Sequence, residues 1–176
     1  TAADIVNNSS EKELLRIFQE YGEIHHASRL VNAIVKLREE KRISTTFELR
    51  DVVMGVVTQK EQNKMLAQVF QALRIEVNGE MDALKDMLMH SVKVLRPGGR
   101  LSIISYHSLE DRMVKNLVRS GDVSKGNPEQ DIYGHSIVPF TAINRKVIVP
   151  TDAEIATNSR ARSAKLRIAE RTHMEL

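Results

Sequence analysis

Apolar residues recur every three or four positions along residues 1–95, which is the spacing of one face of an amphipathic helix. Capping-box patterns mark two helix starts, at Ser10-x-x-Glu13 and Thr45-x-x-Glu48. Gly22 and the pair Asn78-Gly79 interrupt the pattern and predict turns. This part of the chain is therefore predicted to be almost entirely helical.

A short apolar strand is predicted after the helical region. Pro97 cannot continue the preceding helix, and the glycine pair that follows it can adopt positive φ, so a tight turn is expected there. Residues 100–106 are rich in isoleucine and predict a buried strand. Ser108 is expected to cap the next helix, with Asp111 as the returning partner of a capping box.

Polar residues stand where this predicted strand ends. A parallel α/β sheet binds its ligands just past the carboxyl ends of its strands, and Tyr106, His107 and Ser108 occupy that point. Successive side chains of a strand point to opposite faces, so Ser105 and His107 are expected to share one side.

Several chemistries are compatible with the strand end. A serine–histidine pair could act in hydrolysis, but the chain has no G-x-S-x-G elbow. His107, Glu110 and Asp111 could bind a metal, but their spacing differs from H-E-x-x-H, so no metal site is predicted. Capping and the helix dipole explain the two acids. They do not explain His107, which is interpreted as a pocket residue.

The C-terminal third is predicted to alternate loops with short elements. Glycine and proline are frequent over residues 119–140, which predict a long loop that is functional or mobile. Residues 142–149 predict a strand, Thr151-x-x-Glu154 predicts a helix cap, and residues 164–170 predict a half-exposed strand. Three strands do not complete a doubly wound sheet, and neither a G-x-G-x-x-G turn nor a Walker loop is present.

Composition narrows the class of protein. The 176 residues include no cysteine, which excludes disulfides and a cysteine nucleophile and fits a reducing cytoplasm. No apolar run reaches the roughly 18 residues of a membrane span, so no membrane association is expected. The chain begins at Thr1 without the features of a signal peptide, so a fragment or a partly ordered longer chain is expected.

Positive charge is concentrated near the C-terminus, although the net charge is only +3. Arginine is suited to bidentate contact with phosphate, and such a stripe can neutralise nucleic acid, while a solvated surface strand explains the same charges. Asn158 and Ser163 add hydrogen-bonding groups to the stripe. The basic residues are Arg160, Arg162, Lys165, Arg167 and Arg171, against the single acid Glu170.

Three linked stretches resemble a known family. They are FQALRIEVN at 70–78, GGRLSIISYHSLEDR at 98–112 and NSRARSAKLRIAER at 158–171, in this order. Together they resemble the ribosomal RNA small subunit methyltransferase H family, and Tyr21-Gly22-Glu23 and Ser44-Thr45-Thr46 are similar to its helical region. The resemblance covers essentially the whole chain.

The resemblance implies a fold and an activity. The family methylates N4 of a cytosine in 16S rRNA of the small ribosomal subunit and uses S-adenosylmethionine as its methyl donor. The fold class is then α/β: residues 1–66 form an inserted helical, substrate-recognition domain, and residues 67–176 form the C-terminal part of a Rossmann-like class I methyltransferase domain. The family's cofactor-binding segments have no counterpart here. No cofactor-binding residue is therefore assigned, and the cofactor-binding N-terminal half is expected to be absent from this chain.

The same resemblance suggests site residues and partners. We expect Ser105, His107 and Ser108 to border the target-base pocket as catalytic residues. We expect RNA to be bound by Arg112, Asn158, Arg160, Arg162 and Ser163. The alternative function is a non-catalytic RNA- or protein-binding helical module, because a chain without the cofactor half is expected to be inactive alone. Unpaired sheet edges also predict a homodimer.

Overall fold

The computed structural model of this chain describes residues 1–128, 130, 133, 138–144 and 146–173. In it, side-chain caps begin helices where the sequence predicts them. The Ser10 hydroxyl accepts a hydrogen bond from the Glu13 N–H at 3.2 Å, and Thr45 and Glu48 form a reciprocal capping box. The predicted helical character of the N-terminal region is confirmed. Its helices are α1 (Ala2–Asn8), α2 (Glu11–Glu20), α3 (Ser28–Glu40), α4 (Thr46–Val56), α5 (Gln62–Asn78) and α6 (Glu80–Val94).

The chain divides into two units, Thr1–Glu80 and Met81–Leu176. The first unit is helical, and the apolar faces of its helices enclose a core in which Phe18, Leu14 and Ile34 are fully buried. Helix α5 runs through residue 66, and its side chains also pack in this core. The assignment of residues 1–66 and 67–176 to separate functional domains stays a prediction.

The loop between α2 and α3 is held by glutamine side chains of α5. The Gln68 amide donates to the carbonyls of Gly22 at 2.8 Å and Glu23 at 3.2 Å, and the Gln71 amide donates to the Tyr21 carbonyl at 3.1 Å. Glu23 has a φ of 51°, a conformation that non-glycine residues rarely adopt. Part-buried carbonyl groups of the loop are thereby satisfied, and the loop is tied to α5.

Alanine at Gly22 is expected to destabilise the first unit. A Cβ at this position would lie 2.7 Å from the Phe18 carbonyl oxygen and 3.1 Å from the Gln68 carbonyl oxygen, both of which are backbone atoms. Overpacking of this kind costs about 1–3 kcal/mol of the free energy of unfolding, measurable by urea denaturation. Gly55→Ala is the matched control, because a Cβ there meets nothing within 4 Å. The control is expected to stabilise α4 by about 0.5–1 kcal/mol, and equal stability of both variants would contradict the tight contact at Gly22.

The second unit packs helices against a small antiparallel sheet. After α6 come β1 (Arg100–Ser105), α7 (Ser108–Ser120), β2 (Phe140–Ala142), α8 (Asp152–Thr157), a 3₁₀ turn (Ser159–Ser163) and β3 (Lys165–Arg171). The strand order is β1-β3-β2, and both pairings are antiparallel. The α/β class is confirmed. Parallel sheets bind ligands past the carboxyl ends of their strands, but the described strands are antiparallel, so this rule does not apply to them. The carboxyl end of β1 lies instead beside the amino end of β3.

The second strand lies earlier in the chain than the sequence predicts. Residues 142–149 are predicted to form a strand, but β2 covers Phe140–Ala142 and shares only Ala142 with that prediction. In the described residues after it, the Ile143 N–H donates to the Ile168 carbonyl at 2.9 Å, and Ile148 forms an isolated bridge with Leu166. The Asn144 side chain accepts the Ile168 N–H at 3.0 Å and donates to the Lys146 carbonyl at 2.7 Å. A side chain therefore takes the place of a ladder hydrogen bond and ends the strand.

The predicted loop over 119–140 is tied to α7 where it begins. Gly121 ends the helix with a φ of 78°, and Val123 is buried. The Ser120 hydroxyl donates to the Asn116 carbonyl at 2.8 Å, and the Asn116 amide donates to the Val123 carbonyl at 3.0 Å. The part of this prediction that falls on residues 129, 131, 132 and 134–137 lies outside the described residues.

Candidate functional site

The carboxyl end of β1 meets the amino end of β3. In the antiparallel register, Ser105 lies opposite Lys165. Tyr106, His107 and Ser108 follow directly after Ser105, and the turn Ser159–Ser163 ends just before β3 begins. The two stretches that carry the predicted site residues, although far apart in sequence, therefore lie at the same end of the sheet.

Ser105, the last residue of β1, is buried, and its hydroxyl donates to the Lys165 carbonyl at 3.5 Å. The next residue, Tyr106, is 56% exposed and extends into solvent. Ser105 thus joins the two strands, whereas Tyr106 presents an aromatic ring beside the predicted site.

His107 is the cap of α7, which corrects two expectations. Its Nδ1 accepts the Glu110 N–H at 3.4 Å, and the Glu110 carboxylate accepts the N–H groups of Tyr106 at 2.8 Å and His107 at 3.3 Å. The capping box is therefore His107 with Glu110, one position before the predicted pair Ser108 and Asp111. The extended backbone at His107 (φ −133°, ψ 165°) makes Ser108 the first helical residue. Capping does explain His107 after all.

Two groups of Glu110 lie against the His107 ring: its backbone N–H at Nδ1 and its carboxylate at Nε2. Because Nδ1 accepts a hydrogen bond, the neutral ring carries its proton on Nε2, which lies 3.4 Å from Glu110 Oε1. The His107 side chain is only 12% exposed. The imidazole is thus held in one orientation, and it fixes the backbone where β1 passes into α7.

Asp111 binds two cations of β3. Arg167 donates through Nε to Oδ1 at 2.7 Å and through Nη2 to Oδ2 at 3.1 Å, and the Lys165 ammonium lies 3.5 Å from Oδ2. Burial would raise the pKa of Asp111, but the Arg167 guanidinium and the Lys165 ammonium together outweigh it and lower that pKa. Asp111 was predicted to be the returning partner of a capping box, and in the structure it joins α7 to β3.

The predicted basic stripe divides into paired and exposed residues. Arg167 and Lys165 are bound to Asp111, and Arg171 is buried, with its guanidinium donating to backbone carbonyls. Arg160 and Arg162 are exposed, and neither forms an ion pair with a carboxylate in the described part of the chain. These two arginines are the cations of the stripe best placed to meet an anionic partner.

A local cap shapes the turn that carries these arginines. The Asn158 side chain accepts the Arg160 N–H at 3.2 Å, and Ala161 is buried between two exposed arginines. Asn158 and Ser163 are exposed as well. Arg112 is also exposed, on α7, next to Asp111. All five predicted RNA-binding residues are therefore accessible.

The described ranges contain no group of three or more His, Cys, Asp or Glu side chains that could hold a metal ion. Within the same ranges, no helix has both the length and the apolar character needed to cross a membrane.

The second unit thus carries the exposed arginine turn Ser159–Ser163 beside the end of β1, where His107 caps α7. This arrangement is typical of a protein that binds an anionic ligand. A model of the MraW methylase family matches residues 1–172, and the chain belongs to this family. The family predicted from the sequence motifs is confirmed.

Curated relatives agree with this membership. Ribosomal RNA small subunit methyltransferase H of Parabacteroides distasonis is 53% identical over 171 residues, which are 97% of this chain and 56% of that protein. Proteins of the same name from Flavobacterium johnsoniae and Amoebophilus asiaticus are 52% and 48% identical, covering 95% and 98% of this chain and 55% of each relative. The chain thus spans about half the length of the curated relatives it matches.

Two contacts of the site were not predicted. The pattern His107-x-x-Glu110 has the spacing of a capping box, but histidine is not among the preferred cap residues, so the signal was weak. The pairing of Asp111 with Arg167 joins residues 56 positions apart, and it becomes visible only once the register of β1 and β3 is known.

Proposed function

We propose that the complete gene product transfers a methyl group from S-adenosylmethionine to N4 of a cytosine in 16S rRNA of the small ribosomal subunit, in the cytoplasm. In this proposal the chain supplies the target-base side of a Rossmann-like class I methyltransferase. One observation carries it: the register of Ser105 with Lys165 puts the capped strand end and the exposed arginine turn side by side. The names of the relatives support the choice of RNA.

Positioning is the main requirement of this reaction. The lone pair of cytosine N4 is delocalised into the ring, so the amine is a weak nucleophile and must be held in line for attack. The base must also leave its stack to reach a pocket. Arg160 and Arg162 would bind phosphates flanking the base, assisted by Arg112, Asn158 and Ser163. Ser105, His107 and Ser108 would border the pocket, with His107 fixing the backbone of the strand end.

The described residues do not by themselves fit a site for the methyl donor. A ribose is usually held by a carboxylate at a strand end of such folds. Glu110 is engaged in capping and Asp111 binds Arg167, so neither carboxylate after β1 is available for that contact. No glycine-rich turn joins β1 to α7. We therefore place the donor-binding residues outside this chain, and no residue here is assigned to the donor.

Alanine at His107 is expected to lower the free energy of unfolding by about 1 kcal/mol, the usual cost of a lost helix cap. It is also expected to lower methyl transfer to 30S subunits, because the strand end that borders the pocket is then held less firmly. Asparagine at this position is expected to restore part of the activity, since it is a preferred cap residue. The measurement is the initial rate of methyl transfer by the complete gene product. Wild-type rates in both variants would contradict a role for His107 in the site.

The second candidate function is a non-catalytic RNA- or protein-binding module. It is favoured by the exposed arginines of the turn Ser159–Ser163, which could bind RNA without a methyl donor. Titration calorimetry of this chain with S-adenosylmethionine is expected to show no binding, and binding by the complete gene product would favour the enzyme. A homodimer stays a prediction, which light scattering would test.

A further inference from the structure

One charge cluster links the two halves of the candidate site. Asp111 lies in the first turn of α7, four residues after His107, and it binds Arg167 in a bidentate geometry at 2.7 and 3.1 Å. Lys165 adds a contact at 3.5 Å. The Asp111 side chain is 13% exposed and that of Arg167 is 20% exposed, so solvent screens this pair less than a surface ion pair.

The cluster lies where the backbone ladder ends. The last paired residues of β1 and β3 are Ser105 and Lys165, and the arginine turn comes immediately before Lys165. Lys165 and Arg167 are paired in the ladder with Ser105 and Ile103, and their contacts with Asp111 connect the first turn of α7 to this end of β3. The ladder sets the place of the strand end, whereas the position of the first turn of α7 relative to the arginine turn depends on Asp111.

The cluster also determines which cations face the partner. Lys165 and Arg167 lie within a few residues of Arg160 and Arg162, yet Asp111 engages both of them, and its single negative charge offsets one of the two positive charges. Without that carboxylate, two further positive groups beside the turn would be available to phosphates.

We infer that Asp111 is a positioning residue for RNA methylation: it holds the first turn of α7 at a fixed place relative to the Arg160–Arg162 turn, and it withholds Arg167 and Lys165 from RNA. The inference rests on the proposed function. It predicts that loss of the Asp111 carboxylate lowers turnover without lowering RNA affinity, which loss of a residue that only stabilised the fold would not do.

The test is Asp111→Asn in the complete gene product. The kcat for 30S subunits is expected to fall about 10- to 100-fold, since small misplacements of a substrate have effects of that size. Affinity for a single-stranded 16S rRNA fragment is expected to stay the same or rise. Its salt dependence is expected to steepen by up to about 1.4 in the slope of log K against log salt, which corresponds to about 0.7 for each freed cation.

Two variants serve as controls. Glu170→Gln removes an acid of the same strand pair, because Glu170 lies opposite Arg100 and pairs with it at 3.4 Å in an exposed position. Its kcat is expected to equal that of wild type. Asp111→Glu keeps the charge, so its salt slope is expected to match wild type, with a kcat between those of wild type and Asp111→Asn. If Asp111→Asn fails to fold, the kcat of Asp111→Glu is compared with that of Glu170→Gln. A lower kcat in Asp111→Glu supports the inference, and equal kcat values contradict it.

Three results would overturn the inference: an unchanged kcat in Asp111→Asn, a joint fall of kcat and RNA affinity, or an unchanged salt slope. Failure of the proposed function gives a different pattern. A wild-type protein that binds the RNA fragment but does not methylate 30S subunits refutes the reaction, while the salt slopes still test whether Asp111 withholds its cations. A wild-type protein that neither binds nor methylates RNA refutes both.

Discussion

Alanine at both Arg160 and Arg162 is expected to lower kcat/KM for methylation of 30S subunits by the complete gene product on the order of a thousandfold. Each lost charge-assisted hydrogen bond is worth about 1.5–3 kcal/mol, and two are removed. Both guanidinium groups are exposed at the end of the sheet and form no ion pair within the described residues. Their removal therefore costs little folding energy, and the loss falls on binding.

The matched control is the double variant Lys85→Ala with Lys93→Ala. These lysines are exposed on α6, and their removal changes the net charge by the same amount. If the effect depends on placement, the control retains a kcat/KM within a few fold of wild type. Equal losses in the two double variants would mean that overall charge, and not the arginine turn, governs the encounter with the ribosomal subunit.

Alanine at Arg171 is expected to lower the free energy of unfolding by about 3–5 kcal/mol. This arginine is only 5% exposed, and its guanidinium donates to the carbonyls of Val92 at 3.0 Å, Pro139 at 3.3 Å and Thr172 at 3.0 Å. The variant leaves a cavity and buried carbonyls that have lost a donor. Chemical denaturation followed by circular dichroism measures the change.

Two comparisons separate burial from charge at this position. Arg119→Ala removes an exposed cation from α7 and is expected to change the free energy of unfolding by less than about 0.5 kcal/mol. Arg171→Lys keeps the charge but loses the planar set of donors, so it is expected to be intermediate. An Arg171→Ala variant as stable as Arg119→Ala would show that the buried guanidinium does not hold α6, β3 and the chain before β2 together.

Local signals predicted the helices well. A cap and its partner lie three residues apart, so the starts at Ser10, Thr45 and Thr151 could be predicted from short patterns, and Asn78-Gly79 marked a real helix end. The strand predicted over 100–106 was also recognisable, because a short isoleucine-rich run between a Pro-Gly turn and a polar segment is typical of a strand. The prediction that it is buried was wrong: β1 covers Arg100–Ser105, only Ser105 in it is buried, and Ile104 is 58% exposed.

Contacts between distant residues were not predictable in the same way. The charges from Arg160 to Arg171 look alike in sequence, yet Arg171 is buried among carbonyls, Arg167 is bound to Asp111 and Arg160 is exposed. Which of these applies depends on the register of β3 with β1. The early end of β2 depends likewise on one asparagine, Asn144, reaching the neighbouring strand.

In the proposed function, the strand end and the arginine turn contact the same stretch of RNA. Site-specific crosslinking measures this contact, with Tyr106 and Arg162 replaced one at a time by a photoreactive phenylalanine analogue in the complete gene product. Val94, which is 79% exposed on α6, is the control position. Positions 106 and 162 are expected to crosslink to one short stretch of 16S rRNA containing the methylated cytosine. Crosslinks no stronger than those of position 94, or crosslinks to separate stretches, would contradict the account.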